Sequence, residues 1–260
     1  MNAHMHKSTS WGSVADWYGE HVAGEDTYHA KVIAPNLVRM VGAGKRMRIL
    51  DIGCGEGYFT RLLAGAGAQV EGADIAPELI VRARKASPGI PYHVASADAL
   101  HFAKDGAYDA VTCVLALQNM EKLEAVMSEV ARVLKPEGKF VFVINHPAFR
   151  IPKRSAWEWD EAAKVQYRRL DAYLSASRER MDMTPGKQGK KEEHEYTYSF
   201  HRSLQDHMKA LASAGFAIMR IEEWISHRAS EKGPRQAAED KARKEFPLFL
   251  AVEAHRVSIA

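Results

Sequence analysis

The stretch Ile49-Leu50-Asp51-Ile52-Gly53-Cys54-Gly55-Glu56-Gly57-Tyr58-Phe59 places the tightest limits on what this chain can fold into. Its short apolar run reads as a buried strand. Glycines at every second position let the backbone turn sharply and approach a ligand with no Cβ in the way. The helix expected over 57–66 carries Phe59, Leu62 and Leu63 on one face. Its first N–H groups point back into the turn and can receive an oxygen-rich group. Strand, glycine turn and helix together make the first half of a nucleotide-type site in an α/β sheet. The dinucleotide pattern G-x-G-x-x-G fails, because its third glycine position falls on Tyr58. The spacing is instead D-x-G-x-G-x-G, starting at Asp51.

Four later stretches follow in order. Gln69-Val70-Glu71-Gly72-Ala73-Asp74 reads as a second strand ending on an acid, where a carboxylate can accept both hydroxyls of a ribose. Ala97-Asp98-Ala99 follows a strand expected from Tyr92 onward. The run from Asp109 through Val114, Leu115, Gln118, Asn119 and Met120 is a further strand and its exit. Val133-Leu134-Lys135-Pro136-Glu137-Gly138-Lys139-Phe140 is a helix end, a turn and a fifth strand.

With motif I at Asp51 to Gly57, a motif IV at Asp109 to Met120 and an "L-K-P-G-G" turn, the chain resembles the class I S-adenosylmethionine (SAM) dependent methyltransferases. Glu137 stands where that turn usually has its first glycine. The resemblance covers residues 45–145 and the C-terminal strands. It implies an α/β, Rossmann-like seven-stranded sheet with helices on both faces and an antiparallel last strand. It implies SAM as cofactor, S-adenosylhomocysteine as product, and no metal. It implies that Asp51 and the turn at Gly53, Gly55 and Gly57 hold the amino acid end of SAM. Asp74 would hold the ribose, Ile75 would pack on adenine, and Ala97, Asp98 and Ala99 would meet the adenine edge. Val114 and Leu115 would complete the cofactor site.

Bulk properties set outer limits. The 260 residues suit one large α/β domain with an insertion. A net charge of +3, from 36 basic and 33 acidic residues, makes no demand for a nucleic acid partner. No run of about 20 apolar residues offers a membrane span, and Met1-Asn2-Ala3-His4-Met5-His6-Lys7 lacks the apolar core of a signal peptide. Cys54 and Cys113 read as small packing residues in a reduced, cytoplasmic setting. A monomer or homodimer is expected.

Residues 1–44 read as an N-terminal helical cap before a methyltransferase domain over 45–260. Val14, Trp17, Tyr18, His21 and Val22 recur at helical spacing, and a second helix begins near Thr27 or Ala34, with Pro35 in its first turn. Tyr18 and Tyr28 either touch the cofactor or pack this segment on the sheet. After the fifth strand, an aromatic and charged insertion over 147–200 is expected to cap the substrate. Within it, a helix is expected over 160–174 with Trp159, Ala163, Tyr167, Leu170 and Leu174 as its stripe, then a loop over 182–195. Tyr196 to His201 alternates like a strand, and Ser203-Leu204-Gln205-Asp206 resembles a capping box.

The SAM sulfonium brings its own electrophile, so the protein's task is to align the partners and exclude water. Acceptors bind above the carboxyl ends of strands four and five, where Gln118, Asn119, Asn145 and His146 fall. His146 is the first candidate base and His201 the second; alternatively His146 only braces the turn after it. Phe149, Trp157 and Tyr198 are candidate acceptor contacts. Asn145-His146-Pro147-Ala148-Phe149 is not the N-P-P-Y motif of nucleic acid amino-methyltransferases, since a histidine intervenes and the strand is the fifth. The expected acceptor is a small organic molecule, aromatic or apolar, methylated on O, N, C or S. Two alternatives stay open. One is RNA, contacted by Arg150, Lys153, Arg154, Arg168 and Arg169; the other is SAM binding without turnover.

Overall fold

The computed structural model describes Trp11, residues 24–183 and residues 196–257. Tyr18 and the helix expected over 14–22 lie outside the described residues, as does most of the loop expected over 182–195. One seven-stranded sheet carries the fold. Its strands are β1 (Arg48–Ile52), β2 (Gln69–Asp74), β3 (Tyr92–Val94), β4 (Tyr108–Val114), β5 (Leu134–Asn145), β10 (Phe216–Trp224) and β11 (Phe249–Arg256). They lie in the order β10-β11-β5-β4-β1-β2-β3. β1, β2, β3, β4 and β5 run parallel to one another, and β11 runs antiparallel to both β5 and β10.

The central strands bury both faces, with alternate residues in alternate cores. Leu50, Ile52, Val111, Cys113, Phe140, Phe142, Leu250 and Val252 face one core. Helices α4 (Leu123–Val133) and α5 (Leu204–Ser213) cover it through Val126, Met127, Val130, Ala210 and Leu211. Ile49, Ala110, Val114, Val141, Val143 and Ala251 face the other core. Helices α1 (Ala34–Val41) and α2 (Tyr58–Gly65) cover that side. Each Leu, Ile or Phe removed from water here contributes about 1.5–3 kcal/mol. Helix α3 (Pro77–Ala86) packs Ile80 and Ala83 on Tyr92 of β3. The expected capping box opens α5: Ser203 Oγ accepts from the Asp206 N–H, and the Asp206 carboxylate accepts from the Ser203 N–H. A π-type turn, His29–Ile33, leads into α1, with Pro35 in its first turn as expected.

The insertion differs from its sequence reading. The helix expected over 160–174 does not form. Instead β6 (Ser155–Asp160) and β7 (Val165–Leu170) pair as an antiparallel hairpin. Trp157 and Trp159 share one side of β6, and Gln166, Arg168 and Leu170 alternate with Tyr167 and Arg169 along β7, a period of two that the Glu161-Ala162-Ala163 run obscures. That run is the hairpin turn: Asp160 Oδ1 accepts from the Ala162 and Ala163 N–H groups, and Lys164 takes a left-handed φ of 53°. A second antiparallel pair is formed by β8 (Ser177–Asp182) and β9 (Tyr196–His201). Helix α6 (Gln236–Glu245), unmarked by apolar periodicity, precedes β11 and packs on β7. No helix among the described residues is long and apolar enough to cross a membrane.

Candidate functional site

Two features open at the carboxyl edge of the parallel strands. The first is a cleft lined by Asp51, Gly53, Cys54, Glu56, Tyr58 and Phe59, with Val114 beside them. Its turn exists because two positions admit only glycine. Gly53 has φ +63°, and a Cβ there would sit 2.5 Å from the Cβ of Ala116. Gly57 has φ +80°, and its Cβ would overlap the Tyr92 hydroxyl. Backbone therefore packs where side chains cannot, and the turn stays open toward the cleft.

Two buried carboxylates fix this cradle. The Asp51 carboxylate accepts from Thr60 Oγ1 at 2.7 Å and Thr112 Oγ1 at 2.8 Å. Burial raises it to about 6; the threonine hydrogen bonds oppose that rise, and neighbouring Asp74 adds to it. The Asp74 carboxylate accepts from the Gly55 and Ala76 N–H groups, both at 2.9 Å. Burial raises its pKa too, against those backbone donors. Asp74 thus ties the glycine turn to the start of α3. Neither carboxylate forms an ion pair with a Lys or Arg among the described residues, so the cradle is acidic. Ile75 beside it is 49% exposed, an apolar platform at the rim. Ala97 is buried, and Asp98 next to it is held low by the Ser96 hydroxyl and paired with Lys122 at 3.2 Å. Cys54 and Cys113 are unbridged, and burial raises both thiols, which favours the protonated form.

This donor set suits the SAM cofactor. Its amino acid end brings an ammonium and its sulfur a positive charge, which an acidic cradle favours. Asp51, Gly53, Gly55, Gly57, Asp74, Ile75 and Val114 all stand on this one edge, together with Leu115. Leu115 takes a left-handed φ of 53°, and its carbonyl accepts from Gln118 Nε2 at 2.7 Å. Asn119 Nδ2 reaches the same carbonyl at 3.4 Å. Gln118 and Asn119 thereby hold the exit of β4, and the Gln118 Oε1 is buried without a hydrogen-bond partner among the described residues.

The second feature is a cavity of about 180 Å³ where the chain leaves β5. Phe149, Trp157 and Phe246 wall it, with Phe246 edge-on to both of the others at 5.4 and 5.3 Å. Tyr28, Arg150 and Arg168 complete its lining over Pro247 and Leu248. Phe149 and Trp157 are therefore brought together as the sequence suggests. Phe246 was invisible there, because α6 ahead of it buries only Ala242.

Tyr28 and His29 join the two features. Tyr28 lines the cavity, bonds Ser226 Oγ at 3.1 Å and meets Phe249 edge-on; it does not line the cleft. The next residue, His29, stacks on Phe59 at 5.6 Å and meets Tyr58 edge-on, both rings of the cleft. Its Nε2 is buried with no hydrogen-bond partner among the described residues, and burial lowers its pKa, favouring the neutral imidazole.

Three expected site residues stand elsewhere. His146 is not poised as a base: its Nδ1 accepts from the Ala148 and Phe149 N–H groups, and its Nε2 donates to Glu223 at 2.7 Å. Both nitrogens are committed to bracing the turn after β5. His201 is buried and its Nε2 donates to the Tyr173 carbonyl at 2.8 Å, away from cleft and cavity linings. Tyr198 points outward, 38% exposed under the Arg178 guanidinium, because β9 turns Thr197, Ser199 and His201 inward instead. The cations considered for RNA are also accounted for. Lys153 and Arg154 pair with Glu179, Arg169 pairs with Glu158 and Asp171, and Arg150 and Arg168 line the cavity.

Comparison with known proteins agrees with this geometry. Residues 50–142 match the family model described as a methyltransferase domain. A ubiquinone biosynthesis O-methyltransferase of Xanthomonas oryzae pv. oryzae is 40% identical over 103 residues, which cover 38% of this chain and 43% of that protein. The chain thus matches less than half the length of that curated relative. A solved structure from Listeria monocytogenes shares the fold at 24% identity, with a TM-score of 0.68 over 88% of this chain and 100% of that one. A SAM-dependent methyltransferase from Mesorhizobium loti superposes with a TM-score of 0.67 at 30% identity, covering 85% of this chain and 96% of that one. With that coverage and the acidic glycine cradle in place, the chain belongs to the SAM-dependent methyltransferases.

Proposed function

We propose that this chain transfers the methyl group of SAM to an oxygen atom of a small aromatic molecule held in the ring-lined cavity. The observation that carries the reading is the pairing of an acidic cleft with an aromatic cavity on one sheet edge, joined by Tyr28 and His29. The name of the Xanthomonas relative favours oxygen as the acceptor atom, although the matched residues concern the cofactor half. When bound, the cofactor supplies a methyl group on sulfur that is open to in-line attack. Asp51 and the turn at Gly53, Gly55 and Gly57 hold its amino acid end; Asp74 and Ile75 hold ribose and adenine, with Ala97, Asp98 and Ala99 at the adenine edge. Within the insertion over 147–200, Trp157 of β6 and Arg168 of β7 cover the acceptor and limit the access of water. His29 accepts the hydroxyl proton, since it packs on Tyr58 and Phe59 of the cleft and its Nε2 has no partner among the described residues. The internal pairing of Lys153, Arg154 and Arg169 speaks against RNA as acceptor. The test is release of S-adenosylhomocysteine across a panel of single-ring phenols. Turnover that His29→Ala lowers about 100-fold, while His146→Ala keeps its pH profile, supports the reading. Binding of S-adenosylhomocysteine with no turnover on any phenol or amine would leave a cofactor-binding protein instead.

A further inference from the structure

The cavity holds two cations that no carboxylate among the described residues neutralises. Arg150 Nη1 donates to the Asn145 Oδ1 at 2.6 Å, and its guanidinium lies over the Phe249 ring at 5.5 Å. Arg168 donates from Nε to the Phe149 carbonyl and from Nη2 to Ser155 Oγ, both at 2.8 Å, and lies over Trp157 at 5.1 Å. Every one of these acceptors is neutral. Neither arginine has a carboxylate partner among the described residues, whereas Arg39, Arg132, Arg169 and Arg220 each have one. Two half-buried guanidinium groups facing one aromatic cavity repel each other and lose solvation. Burial lowers the pKa of both, and for Arg150 the nearby Arg168 lowers it further. The neutral hydrogen bonds fix each planar group and leave other N–H donors, among them Arg150 Nη2 and Arg168 Nη1, for a ligand. An anion in the cavity would be gripped by fixed donors through charge-assisted hydrogen bonds, the stronger kind.

Resting on the reading of this cavity as the acceptor site, we propose that the acceptor is a single aromatic ring bearing a carboxylate, with Arg150 and Arg168 binding the carboxylate and Trp157 and Phe246 the ring. The size fits: apolar cavities of about 150 Å³ hold a benzene ring, and this one is about 180 Å³. The charges also sort the two ligands. The acidic cleft repels an anion that the basic cavity attracts, so an anionic acceptor enters with its charged end away from the cofactor.

The test is titration calorimetry on the intact protein with benzoate, its neutral isostere benzamide, and phenyl phosphate, with and without saturating S-adenosylhomocysteine. Benzoate is expected to bind about tenfold or more tightly than benzamide, as two charge-assisted hydrogen bonds allow. Arg168→Gln is expected to remove most of that preference while the affinity for S-adenosylhomocysteine stays within about twofold. Benzamide binding as well as benzoate, or neither binding, overturns the proposal on the unsubstituted chain, whatever the variant does. Phenyl phosphate binding about tenfold more tightly than benzoate overturns the carboxylate assignment. Failure of S-adenosylhomocysteine to bind would instead overturn the methyltransferase reading, and the ring-anion comparison is still read without it.

Discussion

Gly53→Ala tests the construction of the cradle, and its cost follows from the structure. At φ +63° an alanine pays about 1–2 kcal/mol of left-handed strain. Its Cβ would also lie 2.5 Å from the Ala116 Cβ and 3.2 Å from the Met120 Cε. Separating such atoms in a packed interior costs about 1–3 kcal/mol more. The sum, about 2–5 kcal/mol, is a large part of the usual 5–15 kcal/mol of domain stability. Gly106 supplies the control: its φ is +61°, yet nothing among the described residues lies within 4 Å of a Cβ built there. Gly106→Ala should therefore cost only the strain, about 1–2 kcal/mol. Combining Gly53→Ala with Ala116→Gly removes the closest contact and leaves only the end of the flexible Met120 side chain. Urea denaturation of the four members of that cycle should give a favourable coupling of about 1–3 kcal/mol. A Gly53→Ala cost equal to that of Gly106→Ala, or a coupling below about 0.5 kcal/mol, would refute the close packing of this turn on the exit of β4.

Four further outcomes are expected. Burial holds the Asp51 carboxyl at about 6, so if its carboxylate grips a ligand ammonium, affinity for S-adenosylhomocysteine should be flat above pH 6 and fall about tenfold per unit below it. Asp51→Asn should flatten that profile, and a wild-type profile already flat to pH 5 would sink the assignment. In the free protein the same raised pKa means that the folded chain binds more protons than the unfolded one between about pH 4 and 6. Asp51's own contribution to stability therefore falls as pH rises through that window. Glu137 holds a left-handed φ of 63° outside glycine, so Glu137→Gly should raise stability by about 0.5–1 kcal/mol, read as a later urea midpoint. Trp157→Ala should raise the KM for the acceptor about tenfold or more, whereas Tyr198→Ala, on the outer side of β9, should leave it unchanged; equal effects would mean that the cavity is not the acceptor site.

What the sequence made legible was local. A strand, a glycine turn and a helix contiguous over 49–65 announce the cradle, and Asp74 closes the next strand in the same way. The two cores were readable because apolar residues fill the central strands and recur at helical spacing on α4 and α5. The insertion was not, because its helix-forming Glu-Ala-Ala-Lys run is a hairpin turn whose register depends on pairing between Trp157 and Arg168. His146 looked free because its partner Glu223 is on β10, far along the chain. Tyr198 attracted attention as an aromatic, but alternation along β9 turns small polar residues inward. The arginine pair combines the turn after β5 with β7, so only the fold brings it together. His29 carried one faint signal, its place beside Tyr28 at the entry to α1.

The most direct test of the central claim, that the acidic glycine turn is a SAM cradle, is calorimetry of S-adenosylhomocysteine on the intact protein and on Asp74→Ala. Binding at one site with a dissociation constant in the micromolar range is expected. The loss of two charge-assisted hydrogen bonds should weaken it about 100-fold in the variant. Absence of binding to the intact protein, or equal affinity in Asp74→Ala, would contradict the account.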